Sequence, residues 1–137
     1  MSFLTPSKEA APADEPVGDV ATGARLLPRI TIQAFCEHSQ TAELVEAAVH
    51  DRRMSKVALT THNGGLDGAV ESYKSNPTPN LIIVETSLPT DQIPGALDRL
   101  AEVCDASTRL IVLGHVNDVL LYRELIRSGV SEYLVLP

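Results

Sequence analysis

One carboxylate in this sequence stands where a buried strand is expected to end. An uninterrupted apolar run at residues 81–84 leads directly to Glu85, and Pro89 turns the chain soon afterwards. In open α/β sheets the carboxyl ends of the strands face the crevice in which ligands bind. Glu85 is therefore a candidate catalytic group, a candidate phosphoryl acceptor, or the remnant of one.

Other residues with ligating side chains follow two further predicted strands. Cys36, Glu37 and His38 follow the first strand, and His115 follows the fourth. Together with Glu85 these residue types could bind Zn²⁺, whose usual protein ligands are thiolate, imidazole and carboxylate groups. Their spacing matches no diagnostic zinc motif, so structural or solvated roles are favoured. The sequence thus predicts no metal, no cofactor and no catalytic residues, with a small-ligand or metal binder at this edge as an alternative.

Composition excludes several classes of function. The chain has 137 residues, a net charge of −7 and 44% hydrophobic residues, enough for one domain with a real core. The negative charge argues against nucleic acid or an anionic membrane as a partner, since both need clustered Lys and Arg. No apolar run is long enough for a membrane span, and no secretory signal is visible. The two cysteines show no motif spacing, which favours free thiols in the cytoplasm.

The chain divides into an arm and one domain. Residues 1–27 are rich in Ala, Pro, Asp and Glu without a sustained period, which predicts a flexible acidic arm. Residues 28–137 alternate nearly all-apolar strands with amphipathic helices, which predicts a parallel sheet covered on both faces. The pattern is (βα)₄β. Its expected fold is an α/β three-layer sandwich with the flavodoxin-like strand order 2-1-3-4-5.

The pattern lacks one element that this fold normally has. A last helix should cover the fifth strand, and the sequence reaches Pro137 without one. We therefore expect a shortened chain or a piece of a larger protein. An uncovered edge strand and sheet face also predict self-association.

Two segments resemble the receiver domains of response regulators. "PNLIIVETSLP" is similar to their third-strand segment, Pro-Asp-Leu-(apolar)₃-Asp-x-x-Met-Pro, and "RLIVLG" with "ELIRSGVSEYLVLP" is similar to their ending. The resemblance implies a CheY-like fold over roughly residues 29–137. Receivers accept a phosphoryl group on the third-strand Asp, and they bind Mg²⁺ through an acidic pair after the first strand. They also use a Thr or Ser ending the fourth strand and a Lys near the end of the fifth.

The departures from that pattern predict a pseudo-receiver. Glu85 occupies the phosphoacceptor position, and Cys36-Glu37 occupies the place of the acidic pair. Gly114 stands at the hydroxyl position and Leu136 at the Lys position. Losing these groups removes the electrostatic machinery on which phosphoryl transfer depends. A phosphorylatable receiver that uses atypical residues remains the alternative.

Glu85 itself allows two narrower interpretations. It could mimic a phosphorylated aspartate, or it could be an ordinary surface acid at a strand end. A phosphoryl mimic acts partly by drawing in the fourth-strand hydroxyl, and Gly114 has none to offer. The mimic is therefore disfavoured.

A narrower resemblance is to pilus-assembly proteins of the TadZ/CpaE type. Like them, the chain has an acidic Ala/Pro-rich arm followed by a degenerate receiver. The resemblance implies a non-catalytic, phosphorylation-independent module for protein interaction and localisation in type IVb (Flp/Tad) pilus assembly, in the cytoplasm and at the cell pole. It also implies other pilus-assembly or polar-localisation proteins as partners. A ParA/MinD-like ATPase domain is expected outside this sequence, which contains no Walker A motif.

The fourth helix and fifth strand are the candidate interaction face. Tyr122 and Ile126 are spaced i and i+4 on the outer side of the helix, beside Arg123 and Arg127, and Tyr133 on the fifth strand is assigned to the same face. Receivers commonly pair through this region, so the resemblance implies a homodimer. The alternative is an ordinary exposed helix edge.

Overall fold

The computed structural model describes residues 30–51 and 56–137, so the predicted arm at residues 1–27 lies outside the described residues. Strands and helices alternate along the described chain as the sequence predicts. The strands are β1 (Ile30–Cys36), β2 (Val57–Asn63), β3 (Leu81–Glu85), β4 (Arg109–Gly114) and β5 (Glu132–Val135). The helices are α1 (Ser39–Asp51), α2 (Gly65–Tyr73), α3 (Ile93–Val103) and α4 (Val119–Arg127).

The strands form one parallel sheet in the order β2-β1-β3-β4-β5, which confirms the predicted flavodoxin-like topology. Phe35 on β1 pairs with Val84 on β3, and Glu85 pairs with Leu113 on β4. The carboxyl ends of β1, β3 and β4 therefore finish at nearly the same level. This alignment brings the segments after these strands to one edge of the sheet.

Two apolar clusters on opposite faces of the sheet make the three layers. The larger cluster packs α2, α3 and α4 against one face, and its fully buried members include Leu66, Ile93 and Leu125. In the smaller cluster the helical residues are Ala42 and Val45 of α1. Helices on both faces of the sheet explain why the strands are nearly all apolar, because both faces of a central strand are removed from water.

The ends of α4 are set by one side-chain cap and one glycine. The N-cap is Asp118 rather than its neighbour Asn117, and its carboxylate accepts from the backbone amides of Leu120 (2.9 Å) and Leu121 (3.1 Å). Both side chains have capping chemistry, and the backbone of Asp118 is extended as a cap requires. At the other end Gly129 has φ of 110°, the left-handed conformation expected after a helix.

The sheet face beside α1 is open on the side of β5. An apolar groove of about 400 Å³ lies there, lined by residues that include Leu44, Ile83, Ile111 and Leu134. Leu134 is half exposed. Among the described residues this face matches the uncovered surface expected from the sequence, while self-association through it stays a prediction.

Candidate functional site

Three chain segments meet at the carboxyl edge of the sheet. Glu85 ends β3, Glu37 and His38 follow β1, and His115 follows β4. Parallel strands that finish at one level necessarily bring the residues after them together. Of the candidate ligands noted in the sequence, the structure therefore gathers Glu37, His38, Glu85 and His115 into one cluster.

Glu85 is completely buried and lies at the centre of this cluster. Its Oε1 accepts from the backbone amides of Glu37 (2.7 Å) and His38 (3.3 Å). Its Oε2 lies 2.8 Å from Nδ1 of His38 and 2.8 Å from Nε2 of His115. The interpretation of Glu85 as a surface acid is wrong, because its side chain has 0% exposure. The loops after β1 and β4 close over it.

The surroundings of Glu85 keep it ionised. Burial raises the pKa of the carboxyl, but hydrogen bonds from His38, the Glu37 amide, His115 and Thr41 outweigh this and hold the pKa at about 2. An ionised carboxylate can only accept, so each imidazole must donate from the nitrogen that faces it. The hydrogen bond and charge of Glu85 in turn raise the pKa of His38.

The two residues at the acidic-pair position differ in character. The Cys36 thiol is buried, and this burial, with the charges of Glu85 and Glu46, raises its pKa to about 11. Cys36 is therefore a neutral thiol at physiological pH and a poor nucleophile. Glu37 is exposed, and its carboxylate accepts from the backbone amide (3.2 Å) and the hydroxyl (2.5 Å) of Ser87.

These residues do not fit the Mg²⁺ ion of a receiver. Mg²⁺ demands near-ideal octahedral coordination by oxygen atoms. Here one position of the acidic pair is a neutral thiol, and the side chains nearest the Glu85 carboxylate are two imidazoles, whose nitrogen atoms Mg²⁺ rarely accepts as ligands. Glu37 alone offers an exposed carboxylate. Of the four potential ligands in the cluster, two offer imidazole nitrogen in place of the oxygen that Mg²⁺ requires.

The positions at which receivers have a hydroxyl and a Lys are occupied here by residues that offer neither a hydroxyl nor a charge. Gly114 ends β4, and the ring of Tyr133 from β5 occupies the space that a β-carbon at this position would need. The Tyr133 hydroxyl donates to the carbonyl of Val116 (2.7 Å). Leu136 packs against the apolar cluster beneath α1. No cation stands at either position.

Solved structures of other proteins share this arrangement of elements. A pilus assembly protein CpaE from Caulobacter crescentus CB15 is 52% identical, with 80% of this chain and 84% of that chain covered and a TM-score of 0.76. The chain belongs to the CpaE pilus assembly family. A putative CpaE2 pilus assembly protein from Sinorhizobium meliloti 1021 is 38% identical over 79% of this chain and 88% of that one, with a TM-score of 0.75.

The receiver resemblance is confirmed at the level of fold. The receiver domain of a putative LuxO repressor from Vibrio parahaemolyticus matches this CpaE-family chain with a TM-score of 0.62 at 22% identity, over 80% of this chain and 79% of that one. Such low identity shows the CheY-like architecture alone. No protein-family model and no curated protein matches the chain.

Four of the five residues assigned to the expected interaction face of this CpaE-family domain are exposed. Tyr122 and Ile126 are 40% and 36% exposed, and Arg123 and Arg127 beside them are also exposed. The assignment of Tyr133 to this face is wrong, because its side chain is only 4% exposed. Its ring turns inward into the space that a side chain at the end of β4 would otherwise fill. No helix among the described residues is long and apolar enough to cross a membrane.

Three further residues shape the site, and the sequence did not predict their contacts with Glu85 and Glu37. Thr41 is a buried hydroxyl whose hydrogen bond helps to lower the pKa of Glu85. Ser87 holds Glu37. Gly65 has φ of 55°, and a β-carbon there would lie 2.6 Å from Cγ of Glu37 and 2.7 Å from the carbonyl oxygen of Glu85. The Gly-Gly pair in the sequence was a usable signal, because a left-handed glycine also permits close backbone approach.

Proposed function

We propose that this domain is a non-catalytic, phosphorylation-independent module for protein interaction and localisation in Flp/Tad pilus assembly. One observation carries the proposal, namely that both oxygens of the Glu85 carboxylate are already engaged by imidazole and amide donors. A phosphoryl acceptor needs a free carboxylate oxygen in line with the donor. Here that oxygen is enclosed and fully hydrogen-bonded.

The groups around Glu85 support the same proposal. Phosphoryl transfer proceeds mainly through positioning and through stabilisation of negative charge by cations and hydrogen-bond donors. Leu136 supplies no cation, Gly114 supplies no hydroxyl, and the site does not fit Mg²⁺. The domain therefore lacks each means of stabilising the transferred group that a receiver employs.

We expect no stable phosphoryl adduct after incubation of the chain with Mg²⁺ and a small phosphodonor. Intact-mass spectrometry of the mixture measures the adduct directly. A receiver with an intact phosphoacceptor aspartate serves as the positive control in the same buffer. Glu85→Asp is the matched variant, and we expect it to stay unmodified because Gly114 and Leu136 remain. An adduct on Glu85 would instead favour the phosphorylatable receiver.

The proposed partners follow from the family and from the α4 face. We propose that the domain pairs with a second copy and with other pilus-assembly or polar-localisation proteins, in the cytoplasm at the cell pole. A ParA/MinD-like ATPase domain in the same protein is part of this proposal. The exposed Tyr122 and Ile126 beside two arginines support a contact surface, because aromatic residues and Arg are enriched in interfaces.

Charged residues at the α4 face should weaken self-association. For the double variant Tyr122→Glu and Ile126→Glu, we expect the dimer dissociation constant to rise about tenfold or more, since removal of a buried interface aromatic commonly costs about 2 kcal/mol. Sedimentation equilibrium measures this constant, and thermal unfolding verifies the fold. Leu44→Glu, on the half-exposed side of α1, is the matched control. If Leu44→Glu dissociates the dimer and the α4 variant does not, the copies meet at the sheet groove instead.

A further inference from the structure

Glu85 and the three residues around it form a mixed nitrogen and oxygen donor set. Ligating atoms of Glu37, His38, Glu85 and His115 all lie within 4.8 Å of one another, and these residues lie at or just after the carboxyl ends of three different strands. We propose that this cluster binds a divalent transition-metal cation, with Zn²⁺ as the best fit, where a receiver would hold Mg²⁺. This inference goes beyond the proposed interaction role and does not depend on it.

The identity of the donors selects the class of cation. Zn²⁺ accepts imidazole nitrogen and carboxylate oxygen in tetrahedral sites, and imidazole suits zinc and its first-row neighbours. Mg²⁺ and Ca²⁺ take oxygen ligands almost exclusively. Two histidines and two glutamates therefore favour zinc over the hard cations. The pair of imidazoles distinguishes this cluster from an ordinary group of surface acids.

The spacing of the donors is close to that of a tetrahedral site. With metal–ligand bonds of about 2.0–2.1 Å, neighbouring donor atoms are about 3.3 Å apart. The nearest pairs here, Glu85 to each imidazole, are 2.8 Å apart, and the widest separation is within 4.8 Å. Small side-chain movements complete the site. The side chains of His38 and His115 are 53% and 35% exposed, so both imidazoles have room for these movements.

Two carboxylates in the cluster are already oriented by outer contacts. Oε1 of Glu85 is held by the amides of Glu37 and His38, which directs Oε2 toward the imidazoles. Ser87 holds the Glu37 carboxylate. Hydrogen bonds of this kind fix ligand orientation and typically change metal affinity by about 10- to 100-fold. The site is therefore largely preorganised.

Binding requires only a local rearrangement of protons. Each imidazole now donates to Oε2, so on binding a neutral ring would move that proton to its other nitrogen and present the freed lone pair. A protonated His38 would release one proton to solvent. A crevice of about 510 Å³, lined in part by His38, Ser87 and His115, adjoins the cluster. It gives the cation a path from solvent.

The proposal is tested by metal titration of the untagged chain after treatment with a chelator. We expect calorimetry to show one equivalent of Zn²⁺ bound per chain, and Co²⁺ to give the visible absorption of tetrahedral coordination. Mg²⁺ should give no saturable heat. His115→Gln, His38→Gln and Glu37→Gln should each weaken Zn²⁺ binding about tenfold or more. His50→Gln, an exposed histidine of α1 outside the cluster, should leave the affinity unchanged.

Two results would overturn the metal site. One is the absence of saturable Zn²⁺ and Co²⁺ binding, which would leave the His38–Glu85–His115 hydrogen bonds as a purely structural device. The other is a loss of affinity in His50→Gln as large as that in His38→Gln. If His115→Gln fails to fold, the more exposed His38 and Glu37 variants decide the question. Neither result bears on the phosphodonor experiment, so the two proposals fail separately.

Discussion

Glu85→Gln is expected to lower the free energy of unfolding by about 2–4 kcal/mol near pH 6. The carboxylate is fully buried and accepts from two backbone amides and two imidazoles. A glutamine of similar shape keeps one acceptor oxygen but turns an NH₂ group toward donors, which leaves buried groups unpaired. Hydrogen bonds to a charged acceptor are also stronger than those to a neutral one. Urea unfolding in the presence of a chelator measures the difference without any metal contribution.

The size of this difference should depend on pH in a defined way. The folded-state pKa of Glu85, about 2, is below its ordinary value of 4.5, so its contribution is present above pH 4.5. It is lost as the pH falls from about 4.5 to about 2. The pKa of His38 is raised above 6.5, so its contribution is complete below that pH and disappears as the pH rises through the raised value. Wild type and Glu85→Gln should therefore differ most between about pH 4.5 and 6.5.

A glutamate away from the cluster provides the control for this experiment. Glu102→Gln, at an exposed position on α3, should change the unfolding free energy by less than about 0.5 kcal/mol. Equal urea midpoints for wild type and Glu85→Gln at pH 6 would mean that the hydrogen bonds to Glu85 contribute nothing to folding. A difference that persists unchanged at pH 2 would assign the effect to packing instead.

The topology of this domain could be predicted because it depends on local pattern. Apolar strands alternating with amphipathic helices leave few arrangements once crossovers are right-handed and both faces are covered. The same regularity places Glu85 at the carboxyl edge of the sheet, since a strand end follows directly from its sequence. The spacing of Leu121 and Leu125 predicts the inner side of α4, and both are buried.

The environment of Glu85 could not be predicted in the same way. Its partners His38 and His115 are 47 and 30 residues away in sequence, and the loops that carry them have no periodic pattern. The number of hydrogen bonds and the depth of burial are set by how those loops close. A strand end alone is compatible with a surface acid, a catalytic acid or an enclosed one.

Tyr133 illustrates a second limit of reasoning from one segment at a time. On β5 alone, an aromatic residue at an edge strand fits an exposed interface. Its actual position is decided by Gly114 on the neighbouring strand, whose missing side chain leaves room for the ring. The two positions must be considered together. Neither was informative by itself.

Gly114→Ala tests this pairing, and we expect it to lower the free energy of unfolding by about 1–3 kcal/mol. A β-carbon at residue 114 would lie 2.3 Å from the hydroxyl oxygen of Tyr133 and 2.6–2.7 Å from two ring carbons. Gly114 is not among the glycines with positive φ, so backbone strain does not contribute. The ring cannot withdraw freely, because it is buried and its hydroxyl donates to the Val116 carbonyl.

A double-mutant cycle with Tyr133→Ala separates this collision from other effects. Truncation of Tyr133 is costly by itself, but in that background Gly114→Ala should cost less than about 0.5 kcal/mol, which gives a coupling of about 0.5–3 kcal/mol. Gly95→Ala on α3 is the matched control. A β-carbon there meets nothing within 4 Å, so alanine should stabilise the helix by about 0.5–1 kcal/mol.

The cycle also decides whether a receiver-type hydroxyl could be restored at this position. Threonine at residue 114 adds a hydroxyl and a methyl group to the β-carbon that alanine introduces. While Tyr133 is present, the free energy of unfolding of Gly114→Thr should therefore be lower than that of Gly114→Ala. A cost of Gly114→Ala that is unchanged in the Tyr133→Ala background would show that the ring is not the obstacle. With the expected coupling, the loss of the hydroxyl and the inward turn of Tyr133 are one structural change, and neither can be reversed alone.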